Sequence, residues 1–214
     1  MRQVRKIKPT RRSISGSLPF NGKSIQYESS LERDFLISHT FKEDVINIVA
    51  QPVTIPFIKN GRTYPYTPDF FIEFDKESNK LPLIVEVKPK LEWQTNWREW
   101  SEKWKTAISF CKQNNYRFRI YDEDRIRHKA LENINYLNRF RHFDCDDIEK
   151  NMILEHVKLR GSATIDYLTA RFYMGSLENK RGLKIIYHLL ATKKLRCCLF
   201  EDLNTFTEIW VDEE

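Results

Sequence analysis

The hydrophobic pattern begins with a helix signal after a polar N-terminal stretch. Ser29 is followed three positions later by Glu32, the arrangement of a capping box, and Leu31, Phe35 and Leu36 then repeat at helical spacing. We therefore predict a helix that begins just after Ser29 and buries one face.

Strand patterns follow this helix. Short β-branched runs predict strands over residues 45–49 and 53–58, and Asn60-Gly61 predicts a tight turn that joins the second run to a strand over residues 63–74. Residues 83–87 are apolar apart from Glu86, as expected of a central strand covered on both faces.

Helical spacing returns after the strands. Residues 92–114 place four of the five tryptophans on one helix face, which we interpret as packing against the sheet. Residues 117–121 alternate as a strand, and a further helix extends to about residue 142.

The pattern changes near residue 144. Three amphipathic helices and a hairpin are predicted beyond it, over residues 146–159, 163–173, 178–192, 195–200 and 206–211. Three helices closed by a β-hairpin is the order of a winged helix. The predicted organisation is an arm (1–23), an α/β domain (24–143) and a winged-helix-like domain (144–214).

Charge is distributed unevenly. The 214-residue chain has a formal net charge of +6, yet residues 1–23 hold no acidic residue, and residues 143–214 are slightly acidic. A basic arm that Pro, Gly and Ser keep extended suits DNA phosphates, because each neutralised phosphate releases counterions. A solvated tail that only improves solubility is an equal alternative. The candidate DNA-binding residues are Arg2, Arg5, Lys6, Lys8, Arg11, Arg12 and Lys23 in the arm, and Lys90 in the body.

Several classes of protein are excluded. No apolar run approaches the ~20 residues of a membrane helix, and the first twenty residues are basic and polar, unlike a secretory signal. The four cysteines form no CxxC pair, the five histidines have no metal-ligand spacing, and no glycine-rich phosphate loop is present. We expect a cytoplasmic protein without membrane, zinc or nucleotide-hydrolysis sites.

The strongest chemical signal is a pair of carboxylates on neighbouring strands. Asp69 lies early in one strand, and Glu86 and Lys88 share a face of the next because side chains alternate along a strand. If the strands pair, Asp69, Glu86 and the Val87 backbone carbonyl suit Mg²⁺, with Mn²⁺ as a substitute. Lys88 would orient the nucleophile or stabilise charge on the phosphate.

These residues also have structural explanations. Asp69 could shape a turn after Pro68, and Glu86 could pair with Lys88 alone. Glu32 is a further candidate catalytic residue and metal ligand, because the first helix could bring it to the same cluster, although the capping box alone accounts for it.

The motifs resemble a known family. Glu32, Pro68-Asp69 and Glu86-Val87-Lys88 in an αβββαβ order resemble the PD-(D/E)xK nuclease core of type II restriction enzymes. The surrounding residues are similar to TnsA, the endonuclease subunit of Tn-seven-type transposases, including those that accompany CRISPR systems. The segments that carry this similarity are Ser29-Ser30-Leu31-Glu32-Arg33-Asp34-Phe35, Gln51-Pro52, Tyr66-Thr67-Pro68-Asp69-Phe70 and Val85-Glu86-Val87-Lys88-Pro89.

The resemblance implies a fold and an activity. The fold is a restriction-endonuclease-like mixed α/β sheet flanked by helices, followed by a small winged-helix-like domain. The activity is Mg²⁺-dependent cleavage of the 5′, non-transferred strands at transposon ends. The family's acids and lysine map to Glu32, Asp69 and Lys88, and Glu86 stands where some members carry glutamine.

The resemblance also implies partners. They are double-stranded DNA, a TnsB-like transposase that cuts and joins the 3′ ends, and a TnsC-like AAA+ regulator bound through the C-terminal domain, at the nucleoid of a bacterial cell. Two alternatives remain open: a standalone restriction or repair nuclease that cuts alone, and a DNA-binding assembly factor that does not cut.

Overall fold

A computed structural model describes residues 1–5 and 14–212 of the chain. The chain divides into two compact units, Met1–Arg127 and His128–Glu214. The sequence pattern placed the boundary after residue 143. The division is earlier because the helix Lys129–Leu137 packs against the helix Ser176–Ala191 of the second unit.

The first unit contains the predicted helix, strands and hairpin together with one hairpin that was not predicted. In chain order its elements are β1 (Gly16–Phe20), β2 (Lys23–Tyr27), α1 (Ser30–Thr40), β3 (Val45–Ala50), β4 (Ile55–Lys59), β5 (Arg62–Tyr66), β6 (Phe70–Phe74), β7 (Leu83–Val87), α2 (Lys90–Thr95), α3 (Trp97–Gln113), β8 (Arg117–Tyr121) and α4 (Glu123–Ile126). The predicted αβββαβ order is present as α1, β3, β6, β7, α3 and β8.

The central sheet is mixed and covered on both faces. Its strand order is β3-β6-β7-β8, with β7 and β8 parallel and the other pairs antiparallel. On one face, Phe35 of α1 stacks on Phe70, their ring centroids 5.3 Å apart. On the other, Cys111 of α3 packs against Phe71 and Ile84. This mixed α/β sheet flanked by helices agrees with the predicted fold class.

The strand predicted over residues 63–74 is wrong as a single element. Residues 67–69 break it, so that β5 pairs with β4 in a separate hairpin while β6 joins the central sheet. Pro68 favours the break because it has no backbone N–H for a sheet hydrogen bond. The predicted turn is confirmed: Asn60 and Gly61 have φ of 50° and 71°, as a tight hairpin turn requires.

The predicted helix over residues 92–114 is divided at Asn96 into α2 and α3. Its tryptophans differ in burial: Trp104 is 2% exposed and contributes to the core, whereas Trp97 is 50% exposed. Core packing therefore explains only part of the tryptophan face.

The N-terminal arm contains a hairpin that the pattern did not predict. β1 and β2 pair from Gly16 with Tyr27 to Phe20 with Lys23, across the turn Asn21-Gly22. Four of the candidate DNA-binding residues, Lys6, Lys8, Arg11 and Arg12, lie outside the described residues.

The second unit consists of helices and a small antiparallel sheet. Its elements are α5 (Lys129–Leu137), α6 (Asp147–Arg160), β9 (Ser162–Thr164), α7 (Ile165–Phe172), α8 (Ser176–Ala191), β10 (Arg196–Cys197) and β11 (Glu208–Trp210). The predicted helices α6, α7 and α8 are present, but the two predicted strands are shorter than expected. β9 was not predicted, and it pairs with β11 in the order β10-β11-β9. Across the part of the chain described here, every helix is too short or too polar to cross a membrane.

Candidate active site

The pairing of β6 with β7 brings the two predicted carboxylates together. Phe70 is the register partner of Val85, so the same register continued by one residue places Asp69 beside Glu86. The Asp69 N–H donates to the Val85 carbonyl (3.0 Å), and the Val87 N–H donates to Asp69 Oδ2 (2.7 Å). Backbone groups of β7 therefore fix both the position of Asp69 and the orientation of its carboxylate.

Glu86 is buried, and both of its carboxylate oxygens have partners. It is 2% exposed. The Tyr66 hydroxyl donates to Oε2 at 2.7 Å, while Oε1 lies 3.5 Å from Lys103 Nζ and 3.9 Å from Lys88 Nζ. The contact with Lys88 confirms that Glu86 and Lys88 share one strand face. Such partners offset the cost of removing a carboxylate from water.

Glu32 forms the predicted capping box at the start of α1. The Ser29 side chain accepts from the Glu32 N–H (3.1 Å) and donates to Glu32 Oε1 (3.0 Å), while Oε2 accepts from the Glu28 N–H (2.8 Å). The same carboxylate interacts electrostatically with Asp69 and Lys88. Glu32 therefore serves as a helix cap and also lies near the cluster, so neither interpretation of this residue excludes the other.

The electrostatics of the cluster disfavour its negative charges. Burial, followed by the nearby charge of Glu86, raises the pKa of Asp69 to about 7. Burial and then the charge of Asp69 raise the pKa of Glu32 to about 7. Burial opposes the charge of Lys88, but Asp69 and Glu86 outweigh it and raise the pKa of that lysine. Burial and mutual repulsion thus disfavour the ionised carboxylates, and an added cation would offset both effects.

The cluster opens into a cavity of about 590 Å³. Asp69, Glu86 and Lys88 line it, and the β4–β5 hairpin forms part of its wall through Lys59 and Tyr64. Cationic and aromatic side chains beside a carboxylate pair provide a surface that accepts a charged, partly planar substrate.

The N-terminal segment is attached to the rim of this cavity. Arg5 Nη2 donates to both carboxylate oxygens of Glu28 (3.0 and 2.8 Å), and Glu28 Oε2 also accepts from the Gln51 side-chain amide (3.0 Å). The Gln51 N–H donates to the Asp69 carbonyl (2.8 Å), and the Gln51 carbonyl accepts from the Val4 N–H (3.0 Å). Gln51 is 4% exposed, with φ of 47°. One hydrogen-bonded chain therefore connects Arg5 with the backbone of Asp69.

The carboxylate pair fits a hard divalent cation. Among the described residues, no group of three or more His, Cys, Asp or Glu side chains is arranged to hold a metal. Mg²⁺ does not require one, because it binds through one or two carboxylates and retains several water ligands. Asp69 and Glu86 supply that number, beside a cavity with room for water. Ligation by the Val87 carbonyl and by Glu32 stays a prediction.

The described candidate DNA-binding residues are dispersed. Arg5 lines the cavity, Lys23 donates to Asn47 Oδ1 (3.0 Å), and Lys90 forms an ion pair with Asp124. Arg2 is exposed. DNA binding by these residues stays a prediction.

Three residues of the site were missed by sequence reasoning: Gln51, Tyr66 and Lys103. Lys103 had a detectable signal, since a lysine between Trp100 and Trp104 is unusual on a face interpreted as apolar packing. Gln51 and Tyr66 stand in segments that carry the family resemblance, but their roles were not predicted, because these depend on contacts with residues that are distant in the sequence.

Comparison with known proteins finds two family models that match the chain. A family model for the TnsA-like endonuclease N terminal matches residues 42–123, and a model for the TnsA endonuclease C terminal matches residues 125–199. The first match contains Asp69, Glu86 and Lys88, and the matches meet close to the division between the two compact units. No curated protein matches the chain.

Proposed function

The chain belongs to the TnsA endonuclease family, and we propose that it is a Mg²⁺-dependent DNA endonuclease that cleaves the 5′, non-transferred strand at transposon ends. The observation that carries the proposal is the placement of Asp69 beside Glu86, with Lys88 3.9 Å from Glu86, at the cavity. A carboxylate pair can hold a metal ion, and a neighbouring lysine can stabilise charge on a phosphate, so this cluster suits metal-dependent phosphodiester hydrolysis.

Each residue of the cluster has a distinct task in this proposal. Asp69 and Glu86 would hold Mg²⁺, which supplies an acidified water and neutralises charge that develops on the scissile phosphate. Lys88, whose pKa is raised by the nearby carboxylates, stays protonated and can stabilise the same phosphate charge. Tyr66 keeps Glu86 oriented through its hydroxyl.

The proposed partners follow from the family and from charge. Double-stranded DNA would approach the cavity past Arg5 and Lys59, both of which line it. A TnsB-like transposase would cut the 3′ ends, and a TnsC-like regulator would bind the second unit. Support for a winged-helix character of this unit comes from the helices α6, α7 and α8 followed by the β10–β11 pair.

The test begins with metal binding, which needs neither the partner nor the end sequence. Calorimetric titration of Mn²⁺ should show saturable binding to the wild type and none to the double variant Asp69→Ala/Glu86→Gln. A titration that is identical for both proteins would remove the assigned metal site.

Cleavage is tested next, with a TnsB-like transposase and transposon-end DNA. Asp69→Ala should abolish 5′-strand nicking while the protein–DNA complex still assembles. Normal cutting by this variant would show that the assigned site is wrong. Sequence-specific cutting by the wild type alone would favour the standalone nuclease.

A further inference from the structure

Lys103 has no role in the proposed cleavage, yet its ammonium is surrounded by three aromatic rings beside the carboxylate pair. Its ammonium lies 4.4 Å from the ring centroid of Trp100, 5.2 Å from that of Tyr66 and 5.5 Å from that of Trp104. Its side chain is only 16% exposed, and it lines the same cavity as Asp69 and Glu86. Three aromatic faces around an ammonium stabilise its charge in a place that little water reaches.

The rings of Tyr66, Trp100 and Trp104 form an aromatic cage that places Lys103 beside Glu86. Lys103 Nζ is 3.5 Å from Glu86 Oε1, closer than Lys88 Nζ at 3.9 Å, and the opposite oxygen of the same carboxylate accepts from the Tyr66 hydroxyl. Tyr66 therefore contributes twice, with its ring to the cation and with its hydroxyl to the anion. The aromatic cage, Lys103 and Glu86 form one preorganised unit.

We propose that Lys103 is the resident counter-cation of Glu86, a positioning residue that holds this carboxylate oriented before a divalent cation binds and that must release Oε1 when one does. The proposal rests on the proposed function, because it takes Glu86 as a metal ligand. Lys103 and the divalent cation then compete for one carboxylate oxygen, so the positive charge of Lys103 weakens metal binding. A residue with a merely structural role would have the opposite effect, since its loss would disorder the site and weaken binding further.

A positive charge anywhere in the cavity could weaken metal binding, so the effect of Lys103 must be compared with that of another lysine. Lys59 provides this comparison. Lys59 lines the same cavity, but its partner is Glu99, at 3.3 Å, rather than a carboxylate of the cluster. Removing its charge changes the general field of the cavity and leaves Glu86 paired. Lys59 is therefore the matched control for Lys103.

The experiment is calorimetric titration of Mn²⁺ into the full chain at pH 8 and low salt. Lys103→Gln and Lys103→Met remove the charge with different side-chain shapes, Lys103→Arg retains it, and Lys59→Gln is the control. Thermal melting of each variant checks that it is folded.

We expect the two neutral variants to bind Mn²⁺ about 5- to 10-fold more tightly than the wild type, because a nearby like charge has been removed. Lys103→Arg should bind Mn²⁺ as the wild type does. Lys59→Gln should differ in affinity from the wild type by less than about 2-fold, because the Lys59 ammonium is not paired with Glu86.

The outcomes separate the two proposals. Saturable binding to the wild type with equal or weaker binding to both neutral variants would overturn the role of Lys103 and leave the metal site intact. An equal gain in Lys59→Gln would also overturn it, because the effect would then be a general one. If the wild type binds no Mn²⁺, the proposed metal site fails, and the role of Lys103 fails with it.

Discussion

At Asp69 the fold retains a carboxylate whose charge is opposed both by burial and by a second carboxylate. These two causes raise its pKa from 3.8 to about 7. The folded protein therefore binds this proton more tightly than the unfolded chain does. The resulting contribution to stability is fully present below pH 3.8 and is lost as the pH rises through about 7. Burial and the charge of Asp69 also raise the pKa of Glu32, so its contribution declines over the same pH range.

A measurement of stability against pH tests this electrostatic conflict in the absence of metal. In Asp69→Asn the side-chain oxygen can still accept from the Val87 N–H, but the titrating charge is gone. Between pH 5 and pH 8 the free energy of unfolding of the wild type should fall by about 2 kcal/mol more than that of Asp69→Asn. Urea denaturation at the two pH values measures the difference.

Glu99→Gln is the control for this prediction, because Glu99 lines the cavity but pairs with Lys59 on an exposed surface. Its pH dependence should match that of the wild type. If Asp69→Asn also loses stability with pH as steeply as the wild type does, the conflict at Asp69 is not the source of the loss.

Residues of the site differ in how far sequence could predict them. Asp69, Glu86 and Lys88 were found because residue spacing along paired strands fixes their relative positions. Tyr66 and Lys103 were not, because Tyr66 ends β5 in a separate hairpin and Lys103 lies on a helix after β7. Their convergence on Glu86 depends on how the hairpin and α3 pack together around Ile55 and Trp104, which no local pattern encodes.

At the scale of elements, α1 shows how one residue can satisfy two requirements. The Glu32 N–H in its first turn needs an acceptor, which the Ser29 side chain supplies, while the Glu32 carboxylate accepts from the Glu28 N–H just before the helix. The position of Glu32 near Asp69 is then a consequence of where the helix begins. The cap can be tested separately from the carboxylate pair, because Ser29 contacts Glu32 but forms no described hydrogen bond with Asp69, Glu86 or Lys88.

Ser29→Ala should therefore reduce stability without changing the site. Loss of the cap hydrogen bond should lower the free energy of unfolding by about 1 kcal/mol, while the Mn²⁺ affinity remains within error of the wild type. Chemical denaturation and calorimetry test the two parts. Ser109→Ala, at an exposed position within α3, is the control and should have little effect on either. A large loss of Mn²⁺ affinity in Ser29→Ala would show that the cap also positions the metal ligands.

The elements that sequence predicted best are those with a strong local signal. The capping box fixed the start of α1, and the apolar run of β7 identified the central strand. The failures have physical causes. The break at residues 67–69 separates two strands that the prediction had merged. The hairpin β1–β2 consists of short strands in which only Ile25 is buried, so they lack a clear hydrophobic pattern. Asn21 and Gly22, with φ of 46° and 73°, were the available turn signal for that hairpin.

Over the whole molecule, charge is the property that relates the N-terminal segment to the site. The body of the chain is nearly neutral, whereas residues 1–23 contain basic residues and no acidic ones. Arg5 is held at the cavity rim by Glu28, which attaches the start of this segment beside Asp69 through Gln51. A basic segment attached there would add phosphate contacts along DNA that enters the cavity, and it would do so whatever the base sequence.

Salt dependence distinguishes this role from that of a solvating tail. Replacing Lys6, Lys8, Arg11 and Arg12 by glutamine keeps the chain length and the hairpin β1–β2 and removes four charges. If each contacts a phosphate, the slope of log K against log salt should become shallower by about 3 to 4, because each contact releases about 0.9 counterion. Fluorescence anisotropy with labelled double-stranded DNA at several salt concentrations measures the slope.

The matched control replaces four exposed lysines that do not line the cavity, Lys76, Lys105, Lys112 and Lys158. It removes the same charge and should change the slope by less than about 1. Equal slopes for the two variants would mean that net charge alone attracts DNA, and the segment would then be a solvated tail.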